Sequence, residues 1–511
     1  MLSRVFSGAT VGLDSVLVEV EIDIPDQGFP GFIIVGLPGK AVKEACERVR
    51  SAIKNSGCKF PNKKITVNLS PADLPKEGPA YDLPIALGIL LADGQIKELP
   101  KDSLVFGELS LDGSLRHTNG ALPLALLAKQ ENLTQVFLPG ENAKEAAMIS
   151  NLHIYPVKTL VELINHLNQE KLIEPLPHQK VKARQHKLLS QFDMADIKGQ
   201  EQAKRAIEIA AAGNHNVFLI GPPGAGKTML SRTLPSILPN MTEDEMLEVT
   251  KIYSIAGKLS AQQSAITIRP FRSPHHTTSM VGLIGGGAHP APGEISLAHR
   301  GVLFLDEFLE FPRSVLECLR QPMEDGIVTV SRASGTLQFP AQFLLVAAAN
   351  PCPCGYLGSK TKHCTCLPGM VERYRQRISG PIMDRIDLHL TVPEVEVEKL
   401  GESYQAEASK PVRERVNKAR EKQLDRFAKL KTNLYCNADM STKQVKLLCE
   451  LNQECKNLLA QAVQNLALSA RSYFKIIKVA QTIADLAEAE QILPEHVAEA
   501  LQYRPKENSF N

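Results

Sequence analysis

Asn216-Val-Phe-Leu-Ile-Gly-Pro-Pro-Gly-Ala-Gly-Lys-Thr228 decides the reading of this chain. A short apolar strand, Asn216 to Ile220, runs into a glycine loop that opens a helix. Gly221, Pro222, Pro223, Gly224, Ala225, Gly226, Lys227 and Thr228 fit the P-loop spacing. In that pattern backbone N–H groups curl around phosphate and the following helix adds its positive end. Lys227 is placed for the β- and γ-phosphates of ATP, and Thr228 for Mg²⁺.

Downstream, Gly301-Val-Leu-Phe-Leu-Asp-Glu307 is a continuous apolar strand ending in two carboxylates, as expected where a parallel sheet is buried on both faces. Asp306 is expected in the magnesium shell, and Glu307 is expected to polarise the water that attacks the γ-phosphate. A third apolar strand, Phe343 to Ala347, leads to Asn350, suited by its order along the chain to orienting the same water. An ordinary turn asparagine has the same appearance.

Working outward, the first 30 residues carry Val18, Val20, Ile22 and Ile24 against Glu19, Glu21 and Asp23, a strand with one wet face. Mixed strand and helix signals continue to about residue 167. A stretch rich in Gln, Lys, His and Pro follows, and 168–191 reads as a linker. Ala206, Ile207, Ala210 and Ala211 share one helical face before the P-loop strand. Beyond 392 the pattern turns helical, with Ile476, Val479, Ala480 and Ile483 at helical spacing.

The chain has 511 residues, 43% of them hydrophobic and 22% charged, with a formal net charge of +2. These values describe a folded protein of several domains and exclude a strongly basic nucleic-acid binder, though not local basic patches. The longest apolar run, Leu83 to Ala92, is about half of what a membrane-spanning helix needs, and the N-terminus lacks a signal pattern. The expectation is a cytoplasmic protein with no membrane partner.

Of ten cysteines, Cys352, Cys354, Cys364 and Cys366 are bunched just after Asn350, with His363 adjacent. Four soft ligands suit tetrahedral zinc, although two C-x-C pairs are tighter than the usual C-x₂-C. Unpaired or redox thiols are the alternative.

Phe271-Arg-Ser-Pro-His-His-Thr-Thr278, Gly285-Gly-Gly287, Pro292-Gly-Glu-Ile-Ser-Leu-Ala-His299 and Gly380-Pro-Ile-Met-Asp-Arg-Ile-Asp387 resemble the AAA+ superfamily. More narrowly, they resemble the magnesium-chelatase-related branch that contains the ComM (YifB-like) proteins, over nearly the whole chain. The resemblance implies an α/β protein in three parts: a Lon-protease-like α+β domain (1–167), an AAA+ P-loop domain (192–392) with a small cysteine-rich insertion (351–367), and a helical lid (393–511). It also implies that Arg385 is an arginine finger reaching a neighbouring subunit's site, and that Arg471, after Leu468-Ser-Ala470, is a sensor contacting the γ-phosphate in its own subunit. Gly282 to Gly287 and the strand-turn-strand pattern Ile327 to Gln338, with Arg332 near its tip, are candidates for lining a central pore.

Within the first domain, Pro75-Lys-Glu-Gly-Pro-Ala-Tyr-Asp82 and Gly107-Glu-Leu-Ser-Leu-Asp-Gly-Ser114 resemble Lon-type proteolytic domains, which use a Ser-Lys dyad. Alignment puts Ala80 at the serine and Leu122 at the lysine, so this domain is expected to be catalytically silent. The family resemblance implies a homo-oligomeric ring, taken as a hexamer, working as an ATP-driven DNA helicase that promotes branch migration during natural transformation on single-stranded and branched DNA. From the residues alone only local basicity speaks for DNA: Lys180, Lys182, Arg184 and Lys187, then Arg373, Arg375 and Arg377. A solvated face explains either run as readily. A protein-remodelling ring and a magnesium-chelatase subunit are the alternatives, with the Lon-like domain weighing against the latter.

Overall fold

The computed structural model describes residues 1–26, 29–180, 192–259, 263–287, 290–332, 335–359, 362–394, 406–430, 432, 434–466 and 468–505. The chain divides into two compact units, one of Met1–Lys182 with Glu243–Thr267, the other of Ala183–Thr242 with Ile268–Asn511. Residues 181–191 of the expected linker, 168–191, lie outside the described residues, and with them Lys182, Arg184 and Lys187 of its basic run.

The first unit is built on a seven-stranded mixed sheet, in the order 31–35, 64–70, 14–23, 2–11, 103–105, 135–139, 153–157. The strand expected from alternation is Asp14–Asp23, with Val18, Val20 and Ile22 fully buried. The apolar run 83–92 forms the helix Asp82–Ala92, buried on all sides, as an all-round hydrophobic helix must be. Among the described residues no helix is long and apolar enough to cross a membrane. Leu122 is fully buried, and Ala80 packs against the same apolar cluster. The two positions that the alignment gives to the dyad therefore hold a methyl group and a leucine side chain in one apolar environment.

The expected ATPase domain, 192–392, is interrupted. The helix Glu243–Ile255 belongs to the first unit, where Met246, Val249 and Ile252 are buried and Leu247 joins the cluster around Leu122. A backbone contact fixes it as well: the Gly120 N–H donates to the Ser254 carbonyl at 3.3 Å. Sequence order alone assigns this helix to its flanking strands; its apolar face is satisfied elsewhere.

The second unit has a five-stranded sheet in the order 271–272, 302–305, 344–349, 217–220, 388–391, with every pairing parallel. The strands 302–305 and 344–349 are buried at every residue, which accounts for their unbroken apolar runs. Two antiparallel hairpins project from this frame: 285–286 with 291–292, and 327–332 with 335–340. The second spans the candidate pore segment 327–338, whereas the first shares only Gly285 and Gly286 with the candidate segment 282–287, whose residues 282–284 lie in the helix Met280–Ile284; residues 288–289 and 333–334, and the side chain of Arg332, lie outside the described residues.

The helix Ala470–Leu486 buries Ile476, Val479, Ala480 and Ile483 in one continuous core with the P-loop helix and sheet. The expected lid is thus part of the same compact unit. Its first helix among the described residues, Ser409–Ala428, is pinned at Ser409, which accepts from the Met194 N–H at 2.8 Å and lies 2.7 Å from the Ser236 hydroxyl at the end of the P-loop helix.

Candidate nucleotide site

The P-loop leaves the strand Val217–Ile220 and enters the helix Lys227–Ile237. Gly224 and Gly226 take φ of +79° and +87°, a region that side-chain-bearing residues adopt only at a cost. Their identity is dictated by that backbone conformation. The Lys227 ammonium donates to the carbonyls of Gly221 (2.5 Å) and Pro222 (2.9 Å) and to Asn350 Oδ1 (3.2 Å). Burial pulls its pKa down to about 8, with Asp306 opposing that shift.

Thr228 Oγ1 donates to Asp306 Oδ2 at 2.8 Å, so the two groups expected to hold magnesium are adjacent. The other Asp306 oxygen accepts from the Glu307 N–H at 2.9 Å. Glu307 itself sits at φ +50°. A non-glycine residue held there is strained. Its carboxylate meets His276 Nδ1 at 2.9 Å. Lys227, Thr228, Asp306, Glu307 and Asn350 therefore converge at one edge of the sheet, the C-terminal ends of its parallel strands, where ligands of open α/β sheets bind.

Arg385 and Arg471 do not join them. Both guanidinium groups bond the carboxylate of Glu324, one to each oxygen. Arg385 also donates to the Pro381 carbonyl at 2.7 Å, and its hydrogen bond is the main reason the Glu324 carboxyl is held below the usual range. Arg385 precedes the strand Leu388–Thr391, whose first residue pairs with Val217 while its last pairs with Ile220. It thus lies at the sheet edge opposite the P-loop, about 10 Å of strand away.

Asn216 fixes that corner. Its N–H donates to Asp387 Oδ2 (3.0 Å), its amide to the Arg385 carbonyl (3.3 Å), and its Oδ1 accepts from the Leu345 N–H (2.9 Å). Lys475, one helical turn after Arg471, meets Asp387 Oδ1 at 2.8 Å. Arg471 is anchored at the same edge, so its expected contact with its own subunit's phosphate is not what this arrangement offers.

The four clustered cysteines converge, with all four sulfurs within 4.8 Å of one another. Cys354 is drawn down to about 6, chiefly by the backbone N–H groups of Tyr356 and Thr365. Of the second basic run, Arg377 is engaged with Glu310 at 3.0 Å, and Arg373 donates to the Gly369 carbonyl at 3.2 Å.

Several participants had no role in the sequence reading: His276 beside Glu307, Glu324 between the two arginines, and Asn216 behind Arg385. Only His276 carried a local signal, a paired histidine in a stretch otherwise recognised by resemblance.

A parallel sheet with a P-loop, an acidic strand end and a following polar asparagine defines a nucleotide-binding domain of the AAA+ class. The family description "Magnesium chelatase, subunit ChlI" matches residues 193–400, "Subunit ChlI of Mg-chelatase" matches 18–142, and "Magnesium chelatase, subunit ChlI C-terminal" matches 406–504. Competence protein ComM of Haemophilus influenzae is 45% identical over 98% of this chain and 97% of its own length. Uncharacterized protein YifB of Escherichia coli is 42% identical over the same shares. Lon protease 2 of Bacillus subtilis is 30% identical over 27% of this chain and 24% of its own length. The chain belongs to the ComM (YifB-like) family of magnesium-chelatase-related AAA+ proteins. Because the 18–142 match itself carries the chelatase-subunit description, the N-terminal domain does not separate the chain from chelatase subunits. That separation rests on the full-length match to ComM.

Proposed function

We propose that this protein is a ring-forming ATPase, a hexamer, whose hydrolytic sites are each completed by two arginines of the adjacent subunit, and that it uses ATP to drive branch migration on single-stranded and branched DNA. The observation that carries the intersubunit site is the separation across the sheet between Lys227, at the P-loop, and Arg385 and Arg471, which share Glu324. A guanidinium at the far edge serves a neighbour's γ-phosphate more readily than its own, and its planar fork suits the spreading charge of phosphoryl transfer. On this reading Arg471 acts in trans together with Arg385.

Within one subunit, Lys227 neutralises β- and γ-phosphate charge, and Asn350 and Glu307 orient the attacking water, with Glu307 accepting its proton. Thr228 and Asp306 are the groups to hold Mg²⁺, and their 2.8 Å contact fits that shared duty. The ion, when bound, supplies charge neutralisation on the phosphate oxygens. His276, at 2.9 Å from Glu307, orients that carboxylate.

A pH dependence follows from Lys227. Burial lowers its pKa to about 8, while phosphates beside it raise it, so binding ATP takes up a proton once the pH exceeds that value. Affinity is expected to be level below about pH 8 and to fall by up to about tenfold per unit above it. A titration of nucleotide affinity that stays flat above pH 8 contradicts the assignment.

For DNA, the support is the resemblance, the name of the Haemophilus relative as a competence protein, and two hairpins, one spanning the candidate pore segment 327–338 and one sharing Gly285 and Gly286 with the other. Strand displacement on forked and four-way DNA, with Glu307→Gln as the hydrolysis-deficient comparison, tests it. ATP-dependent displacement by the unaltered chain, with DNA-stimulated ATPase that weakens as salt rises, is the expected result. Stimulation by unfolded protein and none by DNA overturns it in favour of protein remodelling.

A further inference from the structure

Cys352 follows Asn350 by two residues, and its carbonyl accepts from the Gly355 N–H at 2.9 Å, closing a tight turn. Gly355 has φ +84°, and a Cβ there would stand 2.9 Å from Cδ and Cγ of Pro223. The turn carrying the first cysteine pair therefore lies directly against the P-loop. On its other side, Asn350 reaches Lys227. The second pair closes over the first, with Cys352 Sγ 3.4 Å from Cys354 Sγ and 3.7 Å from Cys364 Sγ, and Cys354 Sγ 3.5 Å from Cys364 Sγ. Four thiolates around one zinc at about 2.3 Å stand about 3.8 Å apart, close to these separations. Two backbone N–H groups point at sulfurs, Cys354 N to Cys366 Sγ and Cys366 N to Cys364 Sγ, both at 3.4 Å. Such donors stabilise thiolates and orient metal ligands.

We propose that Cys352, Cys354, Cys364 and Cys366 bind one Zn²⁺, and that the metal-fixed turn is the wall that holds the P-loop and Asn350 in their nucleotide-binding arrangement. Without a metal, four thiols and a glycine turn have little to fix them, because the segment is too short for a core of its own. With it, Gly355 is rigid against Pro223, and Asn350 is tethered at the correct reach from Lys227. The effect on nucleotide rests on the reading of the P-loop above; the metal site does not.

The test uses the full chain purified without added metal. One zinc per chain is expected, released in step with modification of four of the ten thiols, and replaceable by Co²⁺ with the intense visible bands of a tetrahedral thiolate site. Cys354→Ser with Cys366→Ser should lose the zinc. Gly355→Ala keeps all four ligands, so it should retain zinc yet weaken binding of a fluorescent ADP by about tenfold, since the new methyl presses on Pro223. Zinc extraction from the unaltered chain should weaken that binding as well.

Folded protein with well under one zinc per chain, and no thiolate spectrum with Co²⁺, overturns the site. A full zinc complement with nucleotide affinity indifferent to its removal and to Gly355→Ala overturns the coupling. If the unaltered, zinc-loaded chain binds no nucleotide, the coupling falls with the P-loop reading while the zinc site stands.

Discussion

Arg385→Ala is expected to lower the ATPase turnover of the assembled protein by about a thousandfold, the effect of removing an arginine that stabilises transition-state charge from a neighbouring subunit. Nucleotide affinity should change little, because Arg385 stands on Glu324 at the sheet edge opposite Lys227. Arg385→Lys should recover little of the loss, since a point charge does not reproduce two parallel donors to phosphoryl oxygens. Arg471→Ala should fall in the same direction. Steady-state ATPase and equilibrium binding of a fluorescent nucleotide measure both halves. Loss of binding in parallel with loss of turnover would instead point to a contact with the subunit's own nucleotide.

Glu307→Gln is expected to lower turnover by at least about a hundredfold while leaving ATP bound, because the amide keeps the size and hydrogen-bonding reach of the carboxylate but cannot accept the water's proton. Among the described contacts of Glu307, the side chain reaches His276 and the N–H reaches Asp306. Lys227 and Thr228, which would carry the phosphate and its ion, are engaged with other groups. Binding and chemistry are separable at this position, and a trapped ATP-bound assembly should accumulate. Single-turnover hydrolysis within about tenfold of the unaltered rate would remove Glu307 from its proposed role.

What was legible in the sequence is what short stretches of chain encode by themselves. Gly224 and Gly226 report their own positive φ, the buried strands 302–305 and 344–349 report their own two-sided burial, and Lys227, Asp306 and Asn350 each come after a strand of the parallel sheet. What was not legible depends on partners remote in sequence. Glu324 meets Arg385 across 61 positions and Arg471 across 147, and nothing in its local sequence marks it as the carboxylate that gathers them. The helix Glu243–Ile255 reads as an ordinary element between two ATPase strands, yet the surface that buries Met246, Val249 and Ile252 belongs to the first unit. The role expected for Arg471 was carried by resemblance, and the proposal that it serves the neighbour arises only from partners remote in sequence, its contact with Glu324 and that of Lys475 with Asp387. The cysteine pairs were evident as pairs, but their position against Pro223 emerges only once the chain has folded.

The central claim is that each hydrolytic site is built from two subunits, and mixing two inactive variants tests it most directly. Arg385→Ala retains a complete P-loop, Asp306 and Glu307 but offers no finger; Glu307→Gln offers a finger but cannot activate water. Combined in equal amounts and allowed to exchange subunits, they should regain activity at about one interface in four, wherever the first faces the arginine of the second. A mixture as inactive as its components, under conditions where subunit exchange is verified, would contradict a site completed in trans.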